Sequence, residues 1–266
     1  MKFQSNRSIA AYLEEIPLAG PHPIGRGHSG GEEDIIETPP GVDSASICAG
    51  SVVSLDKSVS PVNKNIILDT LLFAQLAANA QYNRYSQAHL WHMVYISTLA
   101  NLGWITNITS LSEKIIRNSK LEVAAEAIEL IASVAGAGSL TVLTAALKAL
   151  ESSVNNAAIE VFESNSYFDK VANFQIGQAT QSEDGNIIMP AGLFLLQTNR
   201  TKHNFLFARW NKKRVTLYVE AKKLILNVER HLSIHATITD RLNDIRDDYV
   251  RDVPLDTARA PIAIHS

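Results

Sequence analysis

The sequence predicts an α+β domain in which an antiparallel sheet of about four to six strands is wrapped by helical hairpins on both faces. Three observations point there. After Pro61 the chain carries apolar residues at helical spacing in two successive pairs of segments. Beyond Asn156 it switches to aromatic and β-branched runs separated by short polar turns. One of those runs, NIIMPAGLFLLQ at 186–197, is apolar on both alternating sets of side chains, so it needs cover on both faces.

From Ile16 to about Ser60 prolines and glycines are scattered without a sustained period, which reads as an N-terminal arm over 1–60, with Ala49–Leu55 as a short strand tying it to the domain. Residues before about Ser58 are therefore expected to be dispensable for folding. The domain proper is expected over 61–253, followed by a tail over 254–266. Helices are predicted at Asn63–Asn83, with Ile67, Leu71, Leu72 and Leu76 on one face, and at Gln87–Leu102, closed by Gly103. Trp104–Thr109 reads as a short strand. A second helical pair, Lys120–Ala135 and Ser139–Ser153, is joined by Gly136–Ala137–Gly138.

Four strands follow, at 173–179, 186–197, 204–210 and 215–228, and the Asp184–Gly185 pair signals a hairpin. Short consecutive links make the sheet antiparallel. The last helix, His231–Val250, repeats Ile234, Ile238, Leu242, Ile245 and Tyr249 at steps of four, four, three and four.

Composition narrows the function. At 46% hydrophobic residues the chain has material for a core. A net charge of −3 leaves no global basic field, so nucleic acid is not the expected partner. The lone Cys48 excludes an internal disulfide framework. Glu14 and Glu15 interrupt the only apolar run near the N-terminus, so cytoplasmic synthesis without a signal peptide is expected, with any release by lysis or a specialised secretion route.

No residue set reads as catalytic. Residues 25–31, GRGHSGG, fit both a dinucleotide loop and a nucleophile elbow, but prolines precede them and Glu32–Asp34 follows where a phosphate-binding helix would begin. His89/His92 and His231/His235 have metal-ligand spacing without the carboxylate of a zinc protease, so no metal and no cofactor is expected. Cys48 reads as a small buried or loop residue, although an exposed one is open to acylation.

Basic residues cluster around two turns. Arg200, Lys202, Lys212, Lys213 and Arg214 are the candidates for contacting anionic headgroups, while the plain reading is of charged turns that protect a sheet edge. The aromatics nearby alternate as core residues would.

Residues 130–147, LIASVAGAGSLTVLTAAL, run for eighteen positions without a charge, the minimum length for a membrane span. The glycine break divides them into two short amphipathic helices that suit a hairpin lying over a sheet and still apolar enough to transfer to a membrane interface. Leu130, Ile131, Val134, Gly136, Gly138, Leu140, Val142 and Leu143 would supply its apolar and small-residue surface.

The hairpin LEVAAEAIELIASVAGAGSLTVLTAALKAL, followed by a linker containing NAAIEVF, the strand NFQIGQA, a long apolar strand and a closing LYV…KKLILN strand, resembles the Cyt-type insecticidal cytolysins over roughly residues 111–228. That resemblance implies an antiparallel sheet wrapped by helical hairpins in a three-layer α/β/α fold, and a non-enzymatic protein that binds and perforates or perturbs membranes; the basic turns make anionic lipid the expected partner, and a homo-oligomer is a further expectation. The competing expectation is a structural or interaction protein whose N-terminal arm mediates docking, packaging or self-assembly.

Overall fold

The computed structural model describes residues 6–20, 41–106, 110–116, 119–136, 140–152 and 157–255. In chain order the elements are α1 (Asn6–Glu15), β1 (Ser44–Cys48), β2 (Ser51–Leu55), α2 (Pro61–Gln81), α3 (Ala88–Asn101), β3 (Trp104–Ile105), β4 (Ser112–Glu113) and β5 (Lys120–Glu122). Then come α4 (Val123–Ala135), α5 (Thr141–Ser152), α6 (Ala157–Ser166), β6 (Tyr167–Phe168), β7 (Val171–Gln181) and β8 (Ile187–Thr198). The chain continues through β9 (Arg209–Asn211), β10 (Val215–Leu226), α7 (Val228–Leu232), α8 (His235–Leu242) and β11 (Val250–Val253).

The class is α+β as expected, with helices on both faces of one sheet. The main path runs β11-β1-β2-β7-β8-β10-β3, and β4 and β6 add to β10 and β7 for nine strands among the described residues. All pairings among those residues are antiparallel except β2 with β7, where Ser51 faces Gln175 and Leu55 faces Ala179. A parallel neighbour is possible there because α2 to α6 intervene between the two strands, supplying a long crossover. The sheet exceeds four to six strands because two-residue segments pair at its margins and because β1, β2 and β11 join it.

The strand β8 carries the double burial that the sequence implies. Leu193 and Leu195 belong to the core beneath α2 and α3. Phe194 and Leu196 belong to the core beneath α4, α5 and α6. On the first side α2 begins with Pro61 at its first turn and Ser60 accepting the Asn63 amide. It is buried continuously from Ile66 to Ala78, as a helix apolar all round should be. Behind it, α8 presents Ile238 and Leu242, and α1 presents Ile9 and Leu13. Arg241 reaches across to the carbonyls of Leu13 and Ile16, caps the end of α1, and lies 5.6 Å from the Phe73 ring.

Several elements differ from the sequence expectation. The arm expected over 1–60 contributes β1 and β2, whose ten residues are all buried in the sheet, so the domain begins well before Pro61. The expected strand Ala49–Leu55 contains β2, whose Ser51 and Ser54 are hydrogen-bonded to β7, whereas small side chains hide the signal of β1, where Ser44 and Ser46 look polar yet are buried. Residues 21–40, including the GRGHSGG motif, and the tail from 256 lie outside the described residues.

The run 204–210 is mostly turn. The Phe207 and Ala208 amides both donate to Asn204 O, Phe205 and Leu206 plunge into the core, and only β9 pairs, with β5 in a separate ribbon. The NAAIEVF stretch at 156–162, read as a linker, lies largely in α6, which buries Ala158, Ile159, Val161 and Phe162. The helix expected over 231–250 breaks into α7, α8, a turn and β11. Asn227 caps α7 by accepting the Arg230 amide, and the Arg246 guanidinium pairs with the buried Asp69 carboxylate at 2.5 Å, turning the chain back to pair β11 with β1.

Deleting residues 1–57 removes β1 and β2 and with them the buried Ile47, Val52, Val53 and Leu55. The truncated chain is expected to lose its cooperative thermal transition, followed by circular dichroism; a transition unchanged from the full chain would restore the arm as a dispensable leader.

Candidate functional site

At one end of the sheet three connections meet. The turn Asp169–Lys170 joins β6 to β7, residues 199–208 leave β8, and the single helical turn Lys212–Arg214 leads into β10. Backbone and side-chain hydrogen bonds lace them together. The Thr198 amide donates to Lys170 O at 2.8 Å, Thr201 Oγ1 donates to Asp169 O at 2.8 Å, and the Asn199 amide donates to Arg214 O at 3.2 Å. Asn211 Oδ1 accepts the Lys213 amide and fixes the helical turn.

The result gathers the basic residues singled out in the sequence. Arg200, Lys212, Lys213 and Arg214 are exposed there. Lys202 is only half exposed: its Nζ lies 5.0 Å from the centroid of the Trp210 ring and donates to Arg209 O, so it serves packing as well as charge. Lys170, not singled out in the sequence, joins the group because Val171 pairs with Gln197 and places the β7 turn beside Arg200. Asp169 is the exposed carboxylate in the same turn. The opposite end of the β7–β8 hairpin carries exposed Glu183 and Asp184; hydrogen bonds from Ser182 and Asn186 hold the Asp184 carboxyl below the usual range. The hairpin is thus positive at one end and negative at the other.

The α4–α5 pair covers the face of the sheet opposite α2. α4 lies on β8 and β10, and α5 on β1, β2 and β7. Ile131, Val142 and Leu143 are buried, Leu130, Val134 and Leu140 are half-buried, and Gly136 ends α4 exposed at φ +71°. Gly138 lies outside the described residues. Two details seat the pair. Ile131 nests on Gly192, where an added Cβ would stand 3.3 Å from its side chain, and the Leu143 amide donates to Gln178 Oε1 at 2.9 Å. The outward surface shows Ala125, Glu129, Ala132, Ser133, Thr141, Thr144 and Lys148. Among the described residues no helix is long and apolar enough to cross a membrane.

Titratable groups collect instead between the sheet and α3. His92 Nε2 lies 2.7 Å from Glu220 Oε2, and Lys222 Nζ lies 3.0 Å from Glu220 Oε1, with all three side chains buried. Burial pushes the Glu220 carboxyl up, but hydrogen bonds and charge from His92 and Lys222 outweigh it and hold the group below the usual range. Nearby, the buried Arg84 donates to Asn173 O, Gln75 Oε1 and Gln175 Oε1 and stacks 4.4 Å from Trp91. Burial lowers its pKa to about 10, which leaves it charged at neutral pH. His231 donates from Nδ1 to Leu102 O, with Nε2 3.3 Å from His235 Nδ1, and burial lowers its pKa. Neither histidine pair gathers further ligands: among the described residues no three His, Cys, Asp or Glu side chains are grouped to hold a metal.

No protein-family model matches the sequence, and no curated protein matches it. Among solved structures the chain is similar to a δ-endotoxin, at 12% identity and a TM-score of 0.41 over 75% of this chain and 88% of that one. It is also similar to the Evf virulence factor, at 13% identity and a TM-score of 0.32 over 91% and 90% of the two chains. A third similarity is to the activated Cyt2Ba monomer from Bacillus thuringiensis subsp. israelensis, at 12% identity and a TM-score of 0.36 over 67% and 97%. The Cyt-like resemblance read from the sequence is thus met again among solved structures, as a distant one.

Cys48 closes β1 under α2 with its thiol on Leu68 O, and burial together with the Asp69 charge pushes its pKa well above the ordinary thiol range. The thiolate is the reactive form. A thiol-specific reagent is therefore expected to leave the native protein unmodified at neutral pH and to label one equivalent after unfolding, as read by mass spectrometry.

Proposed function

We propose that this chain is a non-enzymatic, membrane-active protein of the toxin or virulence type, which meets anionic lipid with the basic end of its sheet and perturbs the bilayer with the α4–α5 hairpin. The observation that carries the reading is the placement of Arg200 and the consecutive Lys212, Lys213 and Arg214 together at one exposed end of the sheet. Each cation near an anionic surface contributes about 1 kcal/mol, and exposed turn charges contribute little to folding. Exposed charges of one sign gathered at one end are suited to an external partner of the opposite sign.

The hairpin's role rests on the size of the side chains buried by its first helix. α4 meets the sheet through Val123, Ala124, Ala127 and Ile131, two of the four being alanine, whereas α5 buries Val142, Leu143, Leu147 and Leu150 beside Ala146. Lifting α4 exposes less apolar area than lifting a leucine-rich helix. The outward face of the pair is mostly small and polar, so the apolar face must turn away from the sheet to reach lipid.

Replacing Lys212, Lys213 and Arg214 together by Ser is expected to weaken binding to vesicles containing phosphatidylglycerol by roughly tenfold to a hundredfold, and to flatten its salt dependence. The thermal transition should stay in place. Unchanged vesicle binding by the triple variant would remove this end of the sheet from the interface.

The hairpin is tested by a disulfide engineered between the first turn of α5 and β7, in a Cys48→Ser background, near the existing Leu143–Gln178 hydrogen bond. The oxidised protein is expected to bind vesicles without releasing trapped dye, and reduction should restore release. Equal leakage in both redox states would make the hairpin ordinary core, and binding without leakage in either state would favour an interaction protein.

A further inference from the structure

Phe168 stands at the tip of the β6–β7 turn and is 66% exposed. Its neighbour Tyr167 points the other way: the ring packs 5.0 Å from Phe205, and the hydroxyl oxygen accepts the Lys202 amide. Alternation along the strand therefore turns Phe168 out of the core. Its one ring contact among the described residues is Tyr85, at 5.6 Å. Among those residues Phe168 is the sole aromatic in the set of exposed large hydrophobic side chains.

The most exposed member of that set is Ile115, at 84%. The Lys114 amide donates to Leu217 O, and Glu113 pairs with Tyr218, so continuing that antiparallel register brings Ile115 opposite Thr216 near the start of β10, two residues from Arg214. The order across this end of the sheet is then β6, β7, β8, β10, β4. Phe168 marks one flank and Ile115 the other. Lys170, Arg200 and the Lys212–Arg214 turn lie between them. Four strand spacings separate the two apolar tips by roughly 20 Å.

We propose that Phe168 and Ile115 are paired interfacial anchors that enter the headgroup–acyl boundary of an anionic bilayer on either side of the cationic turns. The proposal rests on the membrane reading above and specifies how the surface is engaged. Charge complementarity selects anionic lipid for the centre, where the cations of three turns outnumber Asp169. The flanks select a bilayer over a nucleic acid. A strand of nucleic acid is held by aromatic faces along a groove, and a lone isoleucine at the far edge offers no stacking surface, whereas acyl chains accept an aromatic and an aliphatic side chain alike.

Two sets of variants test this on the full chain, with vesicles of phosphatidylglycerol and phosphatidylcholine as probe. Phe168→Ala and Ile115→Ala are each expected to weaken binding by on the order of tenfold, with the loss persisting in high salt, where the lysine and arginine contribution is screened. Both should leave the thermal transition in place. In Phe168→Trp the added indole is read against three buried native tryptophans, Trp91, Trp104 and Trp210. Its emission is expected to shift blue on vesicle binding and to be quenched by lipids brominated near the headgroup end of the acyl chain.

If the unaltered chain binds these vesicles while the alanine variants bind equally well and the indole emission does not move, the anchors are overturned and the membrane reading survives. If the unaltered chain does not bind vesicles, that reading falls and takes the anchors with it. An indole shift elicited by a single-stranded oligonucleotide and not by vesicles would overturn the proposal in favour of nucleic acid.

Discussion

The double burial of β8 is the constraint from which the rest of the architecture follows. A strand with Leu193 and Leu195 on one face and Phe194 and Leu196 on the other has no side to turn to water. It must sit inside a sheet, between β7 and β10, and that sheet must carry helices above and below. The α2–α3 pair supplies one cover and the α4, α5 and α6 layer the other. The close contact of Ile131 with Gly192 shows how finely the second cover is matched, since a side chain at 192 would meet both Ile131 and the Phe194 ring.

The two covers differ in chemistry. Beneath α4 to α6 the interface is apolar and aromatic, with Phe174 stacked on Phe194 at 5.0 Å and set edge-on to Phe162 and Phe205. Beneath α2 and α3 it contains Arg84, held by neutral oxygens and the Trp91 face, and the His92–Glu220–Lys222 cluster. Buried charge demands fixed partners, because removing one leaves the other desolvated and alone. The polar side is thus the rigidly specified one. The α4–α5 side is held mainly by non-directional apolar contacts, and two of the four positions that α4 buries are alanine, which is the physical reason for assigning movement to it.

Much of this organisation was legible in local pattern. The α2 and α3 helices, the β7–β8 hairpin at Asp184–Gly185 and the long β10 strand follow from periodicity and turn chemistry, which depend on neighbours in the chain. What escaped did so for identifiable reasons. β2 falls within the strand read at Ala49–Leu55, but β1 is short and serine-rich, so its burial depends on partners far away, such as Ser46 on Asp252. The run 204–210 has strand-like composition, yet the Phe205 and Trp210 rings are drawn into the core and Trp210 Nε1 bonds Phe205 O, which a straight strand would forbid. The periodic stretch after His231 breaks because Arg246 is anchored on Asp69, and no local signal announces that pair.

The candidate site divides the same way. The sequence alone determined that basic residues crowd two turns, that 130–147 is uncharged and glycine-broken, and that no acid, base and nucleophile set is spelled out along the chain. Only the tertiary structure decided that Lys170 joins Arg200 and Arg214 at one end, that Lys202 lies over an indole, and that Phe168 and Ile115 flank the group. Period and turn chemistry act over a few residues, so they can be read in order. The end of a sheet is assembled by strand pairing between segments dozens of positions apart, and only register tells which turns become neighbours.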